Sequence, residues 1–259
     1  MFKPGVMSSL PQPIVNFMIV GAQKAGTTTL WSYLDDHPDT CMAWGREVHL
    51  FDLMDTPYVQ RERLDQFYAG YFQHFNGEAL RGESTPAYLF HPTALTEIRR
   101  YNPDMKLIVL LRDPIERALS HYAMERAQGH ERWPLWLALV LEAPRLWWHR
   151  LTPGPRIRPM FYSYASRGLY RRQLRRVFAL FRREQVLIVD SRELQEKHIE
   201  TLQRVYRFLG LHEMTPEPAP RRRFVTRDKV QPGLISRLWL SLRLGRERRW
   251  YQRGRFDQL

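Results

Sequence analysis

Phe17-Met18-Ile19-Val20-Gly21-Ala22-Gln23-Lys24-Ala25-Gly26-Thr27-Thr28-Thr29-Leu30-Trp31-Ser32-Tyr33-Leu34 is the stretch from which the fold can be read. Its first four residues form an uninterrupted apolar run stopped by glycine, the pattern of a buried strand. Past Gly26, Leu30 and Leu34 recur at helical spacing, and the segment ends near His37-Pro38, where proline closes a helix. Between strand and helix, Gly21-x-x-x-x-Gly26-Thr27-Thr28 has the outline of a phosphate-binding loop. Glycines let backbone N–H groups turn inward, and the start of the helix adds partial positive charge. Nucleoside-triphosphate loops carry lysine directly after the second glycine. Here Thr27 stands there and Lys24 lies inside the loop, so the pattern suits a phosphate but departs from ATP and GTP sites.

Two further apolar runs repeat the theme. Leu107–Leu111 reads as a strand that stops at Arg112-Asp113-Pro114, where a proline in the first turn opens a helix. Gln185–Val189 reads as a third strand, entered from a basic helix over Tyr170–Phe181. Strands alternating with helices predict an α/β protein, a P-loop-like three-layer fold with a central parallel sheet flanked by helices. No internal repeat is present. Trp133, Trp136, Trp147 and Trp148 cluster among several prolines; they read either as a helix packed on the sheet or as exposed aromatics lining a cleft, with Thr152–Pro159 a loop.

Composition narrows the function classes. In 259 residues, 44% are hydrophobic and 13% aromatic, too apolar for disorder over the bulk of the chain and enough for one large domain or two small ones. Cys41 is the single cysteine, which excludes an intrachain disulfide and a Cys-rich zinc site. No apolar run reaches the ~18 residues of a membrane span, and Met1–Pro13 lacks the apolar core of a signal peptide. A cytoplasmic location is therefore expected. The net charge of +13 is uneven: residues 221–259 hold 12 Lys/Arg against 3 Asp/Glu, and residues 1–220 hold 28 against 24. A basic body suits a phosphorylated or sulfated ligand; a basic tail suits nucleic acid, anionic lipid or an anionic cofactor.

Four motifs occur in order: Gln23-Lys24-x-Gly26-Thr27-Thr28, Arg46-Glu47-Val48-His49-Leu50-Phe51-Asp52, Gly82-Glu83-Ser84-Thr85-Pro86-Ala87-Tyr88, and Leu110-Leu111-Arg112-Asp113-Pro114-x-Glu116-Arg117-x-x-Ser120-His121-Tyr122. Together they resemble the sulfotransferases that use 3′-phosphoadenosine 5′-phosphosulfate (PAPS), above all the heparan sulfate N- and O-sulfotransferase branch and its bacterial relatives. The resemblance covers roughly residues 15–212 and implies a sulfotransferase domain over 14–220, followed by a basic C-terminal segment, 221–259. It implies that Gln23, Lys24, Ala25, Gly26, Thr27 and Thr28 hold the 5′-phosphosulfate, with Lys24 on the bridging oxygen of the leaving phosphate. Arg112 and Ser120 match the pair that binds the 3′-phosphate, Glu47 the catalytic base, and His49 a histidine of the acceptor site. The product would be 3′-phosphoadenosine 5′-phosphate.

The chemistry suits those residue types. A lysine and loop N–H groups stabilise charge on the leaving phosphate, a carboxylate within hydrogen-bond reach removes the acceptor proton, and donor and acceptor must be held in line. No metal is expected, because the loop and Lys24 already supply positive charge. Each residue also has a plainer reading: Arg112-Asp113 as a local pair at a helix start, Glu47 as a solvated loop acid, His49 as a core hydrogen-bonder, His121 and Tyr122 as packing, and Glu83, the preferred structural case, paired with a core arginine.

The departures shape the rest. Several heparan-type enzymes have a lysine where Ser84 stands, which weighs against a heavily anionic glycan as acceptor. The disulfide-bonded hairpin of the heparan O-sulfotransferases cannot be built with one cysteine. Arg221-Arg222-Arg223-Phe224 either takes over its place, with Arg221 and Arg222 reaching the nucleotide, or is a solvated linker. Leu234, Leu238 and Leu242 recur at i, i+4, i+8, as in an amphipathic helix that docks on the body or makes peripheral contact with an anionic membrane; the period-two leucines 238, 240, 242 and 244 compete with the helical reading. The expected acceptor carries a hydroxyl or amine, on a glycan, lipid or metabolite, and nucleic acid is not an expected partner. Two rivals remain: a P-loop kinase of a small molecule, which asks for a lysine beside Thr27 and an acid such as Asp190 for metal, and a basic polyanion-binding protein with salt-dependent affinity.

Overall fold

The computed structural model describes residues 13–53, 60–151, 158–214, 230–254 and 256. Five strands, β1 (Phe17–Gly21), β2 (Thr40–Met42), β3 (Leu80–Ser84), β4 (Lys106–Leu111) and β5 (Val186–Asp190), form one sheet in the order β2-β3-β1-β4-β5. Every pairing is parallel. The helices are α1 (Thr27–Asp35), α2 (Leu50–Leu53), α3 (Arg61–Ala69), α4 (Ala94–Tyr101), α5 (Pro114–Ala127), α6 (Leu135–Val140), α7 (Glu142–Leu151), α8 (Arg158–Tyr162), α9 (Tyr170–Leu180), α10 (Ser191–Glu196), α11 (His198–Leu209) and α12 (Leu234–Gln252). The central parallel sheet flanked by helices matches the expected fold class. The chain leaves β1 toward β3 and β2, then returns to the other side of β1 for β4 and β5. The strand order thus reverses beside β1, and open α/β sheets bind ligands at such a switch point, beyond the carboxyl ends of the strands.

The three expected strands are β1, β4 and β5. β2 and β3 were not foreseen, because neither carries an apolar run: Leu80-Arg81-Gly82-Glu83-Ser84 reads as a polar segment. It sits inside the sheet because Glu83 is hydrogen-bonded to Tyr68 and because Gly82 leaves room for Phe17, paired with it across the β1–β3 ladder. A Cβ on Gly82 would lie within the ring of Phe17, which is fully buried. Gly82→Ala is therefore expected to destabilise the fold by about 3 kcal/mol, the upper range for overpacking, read as a lower urea midpoint, with Phe17→Leu restoring part of the loss in the double variant.

Two cores result. The larger lies along the sheet and takes in Ile19, Val20, Leu30, Ile98, Leu107–Leu111, Leu174 and Val205. A smaller one joins α5, α6 and α12 through Ala118, Tyr122, Leu139, Tyr164, Leu240 and Leu244. The C-terminal helix corrects the sequence reading. It is helical from Leu234 to Gln252, but its buried face is Ser236, Leu240, Leu244, Glu247 and Tyr251. The stripe Leu234, Leu238 and Leu242 points to solvent. The tryptophans also differ from the packed-helix reading: α6 and α7 are helices, yet Trp133, Trp136, Trp147 and Trp148 are 40–61% exposed. Of the Thr152–Pro159 loop, 152–157 lie outside the described residues, and α8 begins at Arg158.

Candidate active site

The loop between β1 and α1 is built by glycine. Gly26 takes φ 94° and caps α1 through its backbone alone; the helix has no side-chain cap and no acid in its first turn. The positive end of α1 is therefore left for an outside anion. Lys24, also at positive φ (69°), is half-buried. Its Nζ approaches Met124 Sδ at 3.5 Å, and it forms no ion pair among the described residues. Burial, then the nearby Arg112, push this lysine below the usual range, while Glu125 and Glu47 oppose them. Lys24 thus lies within electrostatic reach of both Glu47 and Arg112, a cation without a carboxylate partner among the described residues.

Glu47 belongs to a second loop, after β2. Gly45, Arg46 and His49 adopt φ of 84°, 68° and 56°, two of them costly for side-chain-bearing residues. What holds them is the Gly82–Tyr88 motif. Thr85 Oγ1 accepts from the N–H of Val48 (3.0 Å) and His49 (3.4 Å), and Tyr88 Oη accepts from the Leu50 N–H (2.9 Å). Arg46 in turn donates to Thr28 Oγ1 at 3.4 Å, tying this loop to the first turn of α1.

In that frame His49 bridges two acids. Its Nδ1 lies 2.9 Å from Asp52 Oδ2 and its Nε2 3.2 Å from Glu47 Oε2. Burial works against charge on the imidazole, but the hydrogen bonds to Asp52 and Glu47 outweigh it and push His49 up to about 10. That shift favours the imidazolium, and Glu47, an exposed loop acid, is held on one side by this ring. Asp52, buried, was quoted in the sequence motif without a role; its i, i+3 spacing from His49 was the available signal.

Among the described residues Glu83 pairs with no arginine, contrary to expectation. It is fully buried, and Oε2 accepts from Tyr68 Oη at 3.0 Å. Burial pushes it up to about 8, with Tyr88 and Tyr68 pulling the other way. Kept neutral by burial, the acid needs no counter-charge, so no guanidinium is required beside it. Since its folded value lies above the usual 4.5, its contribution to stability is complete below pH about 4.5 and is lost as pH rises to about 8. Glu83→Gln is expected to remove that slope, so that the variant loses less thermal stability than the parent between those pH values.

Behind Lys24 lies a buried polar scaffold that sequence reasoning missed. Arg117, fully buried, donates to the Tyr164 carbonyl through Nη2 and to the Gln23 carbonyl through Nη1 (3.5 Å). Arg167 donates to Ser163 Oγ at 2.7 Å. Glu142 accepts from the N–H of Ala165 and Ser166, each at 2.7 Å. His121 is buried in the same cluster and Tyr122 donates to the Trp133 carbonyl, so both pack, as expected. Only the long spacings, 94 residues from Arg117 to Gln23, conceal this support from the sequence.

Arg112 leaves the end of β4 beside the glycine loop. Its Nη1 donates to the Lys24 carbonyl at 3.4 Å and its Nη2 lies 3.2 Å from Glu116. Ser120 is half-buried on α5, one turn beyond Glu116 and on the same face. Asp113 does not pair with Arg112: it caps α5 by accepting from Ile115 and Glu116 N–H and binds Arg248 of α12 at 2.7 Å. Asp190, the acid a kinase would use for metal, instead caps α10 and accepts from Tyr251 at 2.6 Å. Arg221 and Arg222 lie outside the described residues. Among the described residues, His37, Asp39 and His212 could hold a metal ion. They sit at the opposite ends of the strands, however, and the His37 ring already takes the Asp39 N–H on Nδ1 (3.2 Å) and meets the His212 carbonyl with Nε2 (3.1 Å).

Residues 15–221 match the sequence profile of the Sulfotransferase domain family. The chain is 31% identical over 194 residues to heparan sulfate glucosamine 3-O-sulfotransferase 6 of Mus musculus, covering 75% of this chain and 52% of that protein. It is 34% identical over 110 residues to the membrane-associated sulfotransferase kil1 of Dictyostelium discoideum, covering 41% of this chain and 22% of that one. It thus spans about half the length, or less, of these relatives. The crystal structure of a sulfotransferase from Alicyclobacillus acidocaldarius superposes with a TM-score of 0.71 at 27% identity, covering 92% of this chain and 96% of that one.

Proposed function

Because the chain belongs to the sulfotransferase family, we propose that it transfers a sulfuryl group from PAPS to a hydroxyl, or an amine, of an acceptor. The observation that carries this reading is Lys24, a half-buried cation without an ion-pair partner among the described residues, within electrostatic reach of Arg112 and Glu47 in the loop before α1, whose start has no side-chain cap. The residues suit such a donor: a glycine turn, free positive helix end and ammonium form an anion cradle.

When bound, the donor supplies the sulfuryl group on a phosphate leaving group. The chain does the rest. Lys24 and the loop N–H groups stabilise charge on the leaving oxygen. Arg112 and Ser120 hold the 3′-phosphate and fix the nucleotide. Glu47 Oε2 is engaged by His49, which aims the carboxylate, and its other oxygen takes the acceptor proton. The bond from sulfur to the acceptor oxygen or nitrogen forms as the bond to the bridging oxygen breaks, leaving 3′-phosphoadenosine 5′-phosphate. No divalent cation is needed, since Lys24 and α1 supply the positive charge. The named relatives that act on glucosamine favour a sugar hydroxyl, and Ser84, in place of a lysine, favours a sugar less densely charged than heparan sulfate.

Calorimetric titration with 3′-phosphoadenosine 5′-phosphate tests the nucleotide site, with 5′-AMP and ATP–magnesium as controls. Micromolar binding that requires the 3′-phosphate and persists in EDTA is the expected result. Binding of ATP–magnesium alone would replace the proposal with a kinase.

A further inference from the structure

The described residues expose twelve large hydrophobic side chains, and ten of them fall between Trp133 and Leu151 or between Leu234 and Leu242. These are not scattered singles. α12 packs on α6, and α6 on α7, so the ten lie on or beside three helices that pack one on the next. On α12 the apolar residues are Leu234, Ile235, Leu238 and Leu242, exposed by 58–87%. On α7, Trp147, Trp148 and Leu151 are exposed by 60–61%. A patch of this kind on a folded domain marks an interaction surface.

Charge identifies the occupant. At 100° per residue, the face that carries Leu238 and Leu242 continues into Arg246, Arg249 and Arg253, all exposed. The outward side of α12 is therefore aliphatic in its first half and cationic in its second. Residues 230–254 contain six arginines and one acid, Glu247. That acid is on the buried face and paired with Arg171 at 3.0 Å, so no carboxylate of α12 opposes the outward arginines. An acidic protein would satisfy the arginines and leave the leucines wet, and an apolar groove would do the reverse. An anionic bilayer satisfies both, taking aliphatic side chains among its acyl chains and arginines among its phosphates. Tryptophans at the edge of such a patch sit well at headgroup depth. No helix among the described residues is long and apolar enough to cross a membrane, so the contact is one of lying on the surface.

We propose that the outward face of α12, with Trp147 and Trp148 of α7, docks the protein on an anionic membrane. The proposal stands independently of the reading of the active site. Flotation of the full chain with vesicles of phosphatidylcholine alone, and of equal parts phosphatidylcholine and phosphatidylglycerol, tests it. The parent protein is expected to float with the mixed vesicles only. Changing Arg246, Arg249 and Arg253 to Gln should lower partitioning on the order of 100-fold, since each arginine near an anionic surface contributes about a factor of five. Leu238→Ser with Leu242→Ser should lower it roughly tenfold per leucine. Trp147→Ser with Trp148→Ser, on a separate helix, supplies a second apolar test should the leucine variant fold poorly by circular dichroism. Absence of flotation by the parent, or flotation of the folded arginine or apolar variants like the parent, overturns the proposal. So does a dimer seen by light scattering that the leucine variant dissolves while vesicles bind nothing, which would make a second copy of this chain the occupant.

Discussion

Lys24→Met is expected to yield a folded protein whose kcat/KM for sulfuryl transfer is lower by about 10³-fold, the loss seen when one preorganised donor to a developing oxyanion is removed. The same change is expected to leave the melting temperature unchanged or raise it. The parent lysine is held below its ordinary pKa, first by burial and then by Arg112, so the folded state carries a partly desolvated ammonium with no carboxylate partner among the described residues. Methionine fills similar space without that cost, and its neighbour Met124 accepts a second thioether readily. A residue kept for stability would show the opposite pattern, loss of melting temperature with activity falling in step. Rates measured with the donor and a sugar acceptor, beside scanning calorimetry, separate the two. Full activity in the methionine variant would remove Lys24 from the reaction.

Glu47→Gln has the second large expected effect: kcat lower by about 10³-fold, within the range for loss of a general base, with affinity for 3′-phosphoadenosine 5′-phosphate held within about twofold, because the nucleotide loop is a separate segment. His49 gives this prediction a pH signature. Its folded pKa is raised from 6.5 to about 10, so the stabilisation it lends to the Glu47 loop is complete below pH about 6.5 and is lost as pH rises through about 10. Activity of the parent should fall across that upper limit. Asp52→Asn, which removes the first of the two hydrogen bonds that raise His49, should bring the fall to lower pH while Glu47 remains in place. A pH profile unmoved by Asp52→Asn would show that the His49 bridge does not position the base.

The polar segments explain what could and could not be read in advance. β3 escaped notice because Arg81, Glu83 and Ser84 look like a solvent-facing stretch; its burial depends on Tyr68 and Phe17, 15 and 65 residues from their partners Glu83 and Gly82. The role of Thr85 and Tyr88 as anchors of the Glu47 loop was equally hidden, although both stand in a motif that the sequence displays. In α12 the helical period was visible but its phase was not. Leucines occur on two sides of the helix, and only the position of α5 and α6 decides which side is covered.

What the amino-acid sequence determined alone is local: the apolar run, glycine loop and helix from Phe17 to Asp35, the β4–Arg112–α5 turn with its Asp-Pro start, and the family to which four ordered motifs belong. Neighbouring residues dictate those features, through positive φ at Gly26, a carboxylate cap at Asp113 and the period of buried side chains. The tertiary structure decided the rest: Glu47, His49 and Asp52 as one chain of charges, a neutral Glu83, an ammonium at Lys24 without a carboxylate partner among the described residues, and the leucines of α12 turned outward. Each of these depends on the dielectric, charge or contact surface supplied by segments distant in sequence, and no local pattern encodes such an environment.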